Sequence, residues 1–201
     1  MRSVVVLAFG AALAAFAAPA HAQIESAYTD LDTAKNCTMF SSAAEGDGDW
    51  ANFVCDGYRG YPVFLYYGDA RESLFYGHAP GGDLAPAWES FSGFNATGPK
   101  IEWRIRRNGD RAIPFATIHR WSVADPDDPD SKVEVLVVEK VGQPYERDGC
   151  AVAYVMATGN RNSNEKARAY ADDFAFDFAC GADQPAIDIG TVPLPELADG
   201  G

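Results

Sequence analysis

Tyr58, Arg59 and Tyr61 lie close together in the stretch CDGYRGYP, and Arg104 and Arg106 alternate with apolar residues in IEWRIRR. These residue types do recognition chemistry. A tyrosine offers a flat ring and a hydroxyl, and an arginine offers a planar fork of donors that suits carboxylates and flat polar groups. Residues in a glycine-rich turn and on the polar face of a strand are exposed often enough to serve this way. The competing account is structural: tyrosines capping a core, and arginines pairing with the many acids of this chain. Tyr58, Arg59, Tyr61, Arg104 and Arg106 are the candidate binding residues.

Other chemistries find less support. Of three histidines, His21 falls in the N-terminal leader, leaving His78 in the loop Gly77 to Gly82 and His119 in an apolar stretch. Neither has a second ligand at metal spacing, and H-E-x-x-H is absent, so no metal site is expected. No G-x-S-x-G elbow occurs, since ESFSG lacks the leading glycine. The glycine-rich runs match neither a phosphate loop nor a dinucleotide fingerprint, so no cofactor is expected. The acidic runs EGDGD and DPDDPD lack the spacing of a calcium loop and read as solvated turns. Acids such as Asp69, Glu89 and Glu102 keep one catalytic alternative open. This is a hydrolase with two carboxyls flanking a bond in an envelope polysaccharide, and it requires the two acids to face each other across a cleft.

The N-terminus carries an export signal. Arg2 is followed by the apolar run Val4 to Ala18, Pro19 breaks the helix, and Ala20-His21-Ala22 offers small residues at the cleavage site. Cleavage after Ala22 makes Gln23 the first mature residue and leaves no transmembrane anchor. The destination is the periplasm or the outside. Four cysteines in an exported chain are expected to form disulfides. Of the three possible pairings, Cys37–Cys55 with Cys150–Cys180 closes two short local loops, each worth roughly 3 kcal/mol in the chain-entropy picture.

The formal net charge is −13, and loss of Arg2 makes the mature chain one unit more negative. Such a surface repels nucleic acid and anionic lipid. The partner is expected to be a protein or an envelope glycan.

The elements that must carry these residues are mostly strands. Asp49 to Cys55, Pro62 to Tyr67 and Arg71 to Tyr76 are short β candidates around the turn Gly57 to Gly60. Ile101, Trp103 and Ile105 alternate with Glu102, Arg104 and Arg106, which predicts a half-buried strand with its charges in solvent. Phe115 to Val123 is its hairpin partner, turned at Asn108-Gly109-Asp110. Val133 to Val141 suits a central strand, and Cys150 to Met156 is a further one. Asn162 and Glu165 form a capping-box pattern. After them Ala167, Tyr170, Ala171, Phe174 and Phe178 recur at helical spacing. The class is α+β: a mainly antiparallel sheet with one C-terminal amphipathic helix, disulfide-bonded. Residues 23–183 form a single domain, and 184–201, rich in Pro and Asp, reads as a disordered tail.

The segments CDGYRGYPVFL, GPKIEWRIR, PFATIHRW and the pair CAVAYV and DFAC resemble a group of small exported bacterial proteins. The likeness spans nearly the whole mature domain. It implies a shared fold and a periplasmic address, and it brings no activity and no catalytic residue with it. The mature protein is therefore expected to be an exported binding or inhibitor-like module. Intact-mass analysis of protein from an exporting host should show a chain starting at Gln23 with no alkylatable thiol before reduction. A retained Met1, or four free sulfhydryls, would overturn the export reading.

Overall fold

The alternation of Ile101, Trp103 and Ile105 sets the centre of the molecule, because those three side chains are completely buried. They lie on β6 (Asn95–Asn108), which forms a long hairpin with β7 (Arg111–Ala124) through the expected turn, where Gly109 takes a φ of 59°. A computed structural model describes residues 23–81, 88–125, 128 and 130–198. The leader expected at 1–22 lies outside the described residues, as do parts of the loops at 82–87 and 126–129.

Around the hairpin run β1 (Gln23–Asp30), β8 (Lys132–Lys140), β9 (Ala151–Met156) and the short β10 (Ala186–Asp188). They make a six-stranded sheet in the order β1-β6-β7-β8-β9-β10, antiparallel except where β10 runs parallel to β9. A second sheet is a four-stranded antiparallel meander of β2 (Cys37–Ser42), β3 (Trp50–Cys55), β4 (Val63–Gly68) and β5 (Arg71–Tyr76). Its inner residues Val63, Leu65, Leu74 and Tyr76 pack with Trp103, Trp121, Val135 and Met156 of the large sheet.

The opposite face of the large sheet is covered by α1 (Ser163–Phe174) and the chain that follows it. Ala167, Ala171 and Ala175 are fully buried there against Ile118, Leu136, Val138 and Val155. Alanine at these positions lets the helix backbone approach the sheet closely. The class is α+β with antiparallel sheets, as the periodicity indicated. Two details of the helix differ from the sequence reading. Asn162 sits in the left-handed region (φ 60°) and its side chain makes no capping hydrogen bond. Phe174, expected on the buried strip, is 52% exposed.

Both expected disulfides are present. Cys37 and Cys55 stand directly opposite each other on β2 and β3, with Cα atoms 3.9 Å apart. Cys150–Cys180 ties the chain after α1 back to the start of β9.

The segment from 184, expected as a disordered tail, is instead packed through residue 198. After β10, Val192, Leu194 and Leu197 lie against the inter-sheet core. Ser92 N–H donates to Glu196 O at 2.9 Å and Ala198 N–H to Ser90 O at 3.0 Å. The prolines keep this strap extended without breaking it, because an extended chain laid across a core needs few ladder hydrogen bonds.

One turn carries a local cost. Asp69 and Ala70 join β4 to β5 with φ values of 51° and 56°, the mirror-image turn that favours glycine at its second position. Replacing Ala70 by Gly should raise the stability in urea by about 1 kcal/mol. A loss of stability would contradict this reading of the turn.

Candidate functional site

Gly57 opens the turn that holds Tyr58, Arg59 and Tyr61. A Cβ on Gly57 would lie 2.2 Å from the Tyr61 carbonyl oxygen and 2.9 Å from the Trp103 ring, so only glycine fits. From there Tyr58–Gly60 makes one 3-10 turn, closed by Tyr61 N–H donating to Tyr58 O at 3.0 Å. The Tyr58 ring leans on Trp103 with centroids 6.3 Å apart. Tyr61 donates its hydroxyl to Gln143 Oε1 at 3.1 Å and meets the His78 ring edge-on at 5.2 Å. Both tyrosines are thus fixed by the core.

Arg59 is different. It is exposed, its φ is 47° and ψ 44°, and its guanidinium lies 5.4 Å from the Tyr58 ring centroid. A non-glycine residue in the left-handed region costs roughly 1–2 kcal/mol. The surrounding turn holds it there, projecting over a cleft of about 540 Å³ that Lys35, Asn36, Thr38, Val54, Asp56 and Tyr61 also line. A second cleft of about 610 Å³, lined by Asp30, Asp32, Glu72 and Thr97, shares Lys35 and Asn36 with the first. The two clefts adjoin at those residues.

The same cleft runs onto the outer face of the small sheet. Register places Thr38, Val54 and Phe64 side by side, then Asn52 beside Tyr66, all facing away from the inter-sheet core. Phe40 meets Tyr66 edge-to-face at 6.5 Å, and Phe40 and Trp50 are 53% and 38% exposed. Strands β2, β3 and β4 contain no charged residue. Sequence reading missed this face because each strand is short; the density of aromatics in WANFVC and VFLYYG was the available signal.

Arg104 and Arg106 do not join the turn. They point to the helix side of the large sheet, opposite the face on which Trp103 meets Tyr58. The expectation of a solvated polar face fails because α1 covers it. Arg104 is 8% exposed and donates to Asp172 from Nε at 2.7 Å and from Nη2 at 2.6 Å. Its Nη1 reaches Ser26 Oγ, and Glu102 lies 3.6 Å away. Arg168 donates to both oxygens of Glu102 at 2.7 and 3.0 Å. Burial alone would push the Glu102 carboxyl up, but hydrogen bonds from Arg168 and Ser26 and the arginine charges hold it below the usual carboxylate value. Arg106 lies over the Phe176 ring at 4.1 Å. These arginines are structural. The i,i+4 pair Arg168 and Asp172 on the helix was the sequence signal for it.

The acids considered for hydrolysis are likewise apart. Asp69 sits in the β4–β5 turn and pairs with Arg71 at 3.1 Å. Glu102 is clamped under α1, and Glu89 lies between the sheets, where it accepts from Ala151 N–H at 2.8 Å. No two of the three flank a cleft. Among the described residues, no group of three or more His, Cys, Asp or Glu side chains is placed to hold a metal.

His119 is completely buried, with Nδ1 2.7 Å from the Tyr76 hydroxyl and Nε2 2.6 Å from Gly98 O. A carbonyl only accepts, so Nε2 carries the proton and Nδ1 accepts from Tyr76. Burial lowers the His119 pKa to about 4, against the opposing pull of the Gly98 carbonyl. The folded value lies below the ordinary 6.5, so its contribution to stability is complete above pH 6.5 and is lost as the pH falls through about 4. Imidazole NMR shifts should show His119 neutral until about pH 4. A midpoint near 6.5 would contradict the buried assignment. No known protein family, curated protein or solved structure matches this chain, and the site rests on its own geometry.

Proposed function

We propose that the mature chain is an exported, non-enzymatic binding module that takes an envelope glycan along the outer face of the small sheet and into the cleft beneath Arg59. The carrying observation is Arg59 itself. A strained, exposed arginine persists in a turn whose other members are locked by the core, and strain of this kind clusters at ligand sites.

The chemistry of the face supports a sugar. Rings of Phe40, Tyr66 and Trp50 offer stacking area, while Thr38, Ser41 and Asn52 offer neutral hydrogen-bonding groups beside them. Three strands without a charge give a ligand little to gain from ion pairing, although the protein as a whole carries a net charge of −13. Two disulfides support an oxidising compartment, and among the described residues no helix is long and apolar enough to cross a membrane.

The test is co-sedimentation of the mature protein with purified envelope glycan, alongside capture from periplasmic extract. The double variant Arg59→Ala, Tyr61→Ala should lose about tenfold or more in glycan binding, in line with the loss of a hot-spot pair, while its far-UV spectrum stays unchanged. Wild-type protein that ignores the glycan, or a variant that binds as well as wild type, would overturn the proposal.

A further inference from the structure

Between the two sheets, under the segment that precedes β6, lies a small void of about 10 Å³ lined in part by Glu89, Trp121, Glu139 and Tyr154. That volume is about one water. Its polar lining is short of partners. Trp121 is 2% exposed and its indole Nε1 has no acceptor. Glu139 is 4% exposed. Among the described residues no hydrogen bond reaches its carboxyl or the Tyr154 hydroxyl. Thr117, opposite Glu139 in the β7–β8 register, has an unpartnered hydroxyl as well.

Burial pushes the Glu139 carboxyl well up, and the charge of Glu89 adds to this. Burial also raises Glu89, opposed by the hydrogen bond from Ala151 N–H. Glu89 and Glu139 line the same void, and the Ala151 N–H that holds Glu89 belongs to the register partner of Glu139; two buried carboxyls so placed without a cation do not both ionise, and their protons belong to the pair. The Ala151 donor favours a charged Glu89, so the shared proton rests on Glu139. The other titratable groups facing the pair are Tyr154 from β9 and Tyr76 from β5; Tyr76 is bonded to His119 and also feels the Glu72 charge, whose carboxyl is held by Thr97. Among the described residues, no lysine or arginine acts on either acid.

The cover over this void is held at both ends. Glu89 N–H donates to Ser73 Oγ at 3.0 Å, Ser90 Oγ to Glu72 O at 2.6 Å, and Phe91 is 1% exposed. Residues 90–92 are then bonded to 196–198 of the strap.

We propose that this void binds a single water held by Trp121, Glu139 and Tyr154, and that the Glu89–Glu139 pair is a proton-operated latch on the cover and strap. With one proton on the pair the latch is shut. When the Glu139 O–H gives its proton to a base in solvent, the two carboxylates lining the void repel and the cover opens with loss of the hydrogen bonds that hold it; no other covalent bond changes.

The sign follows from linkage. An opened carboxyl titrates near its ordinary 4.5, whereas the closed pair holds its proton to higher pH. Closure is therefore complete below 4.5 and is lost as the pH rises through the closed-state value. One linked proton raises the open fraction by up to about tenfold per pH unit in that window.

The experiment is amide exchange at Ser92 and Ala198, corrected for intrinsic chemistry, from about pH 5 upward to about pH 9 so as to span the whole window above the ordinary carboxyl value, in wild type and in Glu139→Gln. Wild type should open progressively toward that tenfold slope, and the variant should be flat. A wild-type profile already flat, or the same slope in both proteins, overturns the latch. A carboxyl ¹³C titration of the unmodified protein decides the matter even where the variant does not fold. A Glu139 midpoint well above its ordinary value supports the latch, and a midpoint at that value overturns it. A water cross-peak to the Trp121 indole proton is expected; a dry void overturns the water site.

Discussion

The Trp103 indole is the contact on which the rest of this molecule depends. It is completely buried, donates from Nε1 to Thr29 Oγ1 at 2.8 Å, and meets the Tyr76 ring edge-on at 6.0 Å. One side chain on β6 thereby touches β1, β5 and the Gly57–Tyr61 turn. Burying a tryptophan of this kind stabilises a fold by several kcal/mol, and truncation to alanine typically costs about 3–5 kcal/mol. The shape of the cleft rim is inherited from this packing. Tyr58 rests on the indole, Gly57 is pressed against it, and Arg59 is what the clamped turn leaves in solvent.

On the other face of the same strand the constraint is electrostatic. Covering Glu102 and Arg104 with α1 removes both from water, a cost that only complete pairing offsets. Asp172 and Arg168 supply that pairing from successive turns of the helix, and Ser26 completes it from β1. The alanine strip sets how closely α1 approaches, while the ion network fixes its rotation and its position along the strands. Hydrophobic contact alone would leave those two degrees of freedom loosely determined.

This division explains what was legible in the sequence. Ile101, Trp103 and Ile105 alternate cleanly, so the central hairpin and its turn could be placed, and cysteine parity with short loops gave both disulfides. The same alternation misled about Arg104, because a period of two reports that a strand has two faces but not what covers the second. Glu139 was hidden for that reason: it reads as an outward residue of a β-branched strand, yet β8 is buried on both sides. β1 escaped notice because IESAYT mixes polar and apolar residues on each face, as suits a sheet edge. The strap escaped because proline and aspartate content outweighed the spacing of Val192, Leu194 and Leu197. Of the candidate site, the turn was legible from its residue types. The aromatic sheet face beside it depends on register between strands, which no local pattern contains.

The strap also sets the order of events in folding. Ser92 Oγ donates to Leu197 O across 105 positions of sequence, and Phe91 is sealed into the core by the same contact. Such non-local closure is slow, because the loop entropy is spent before the contact forms. The cover over Phe91 is complete only when residues 196–198 have docked. A seal made by partners so far apart in sequence gives the core a cover whose release needs no strand of either sheet to come apart.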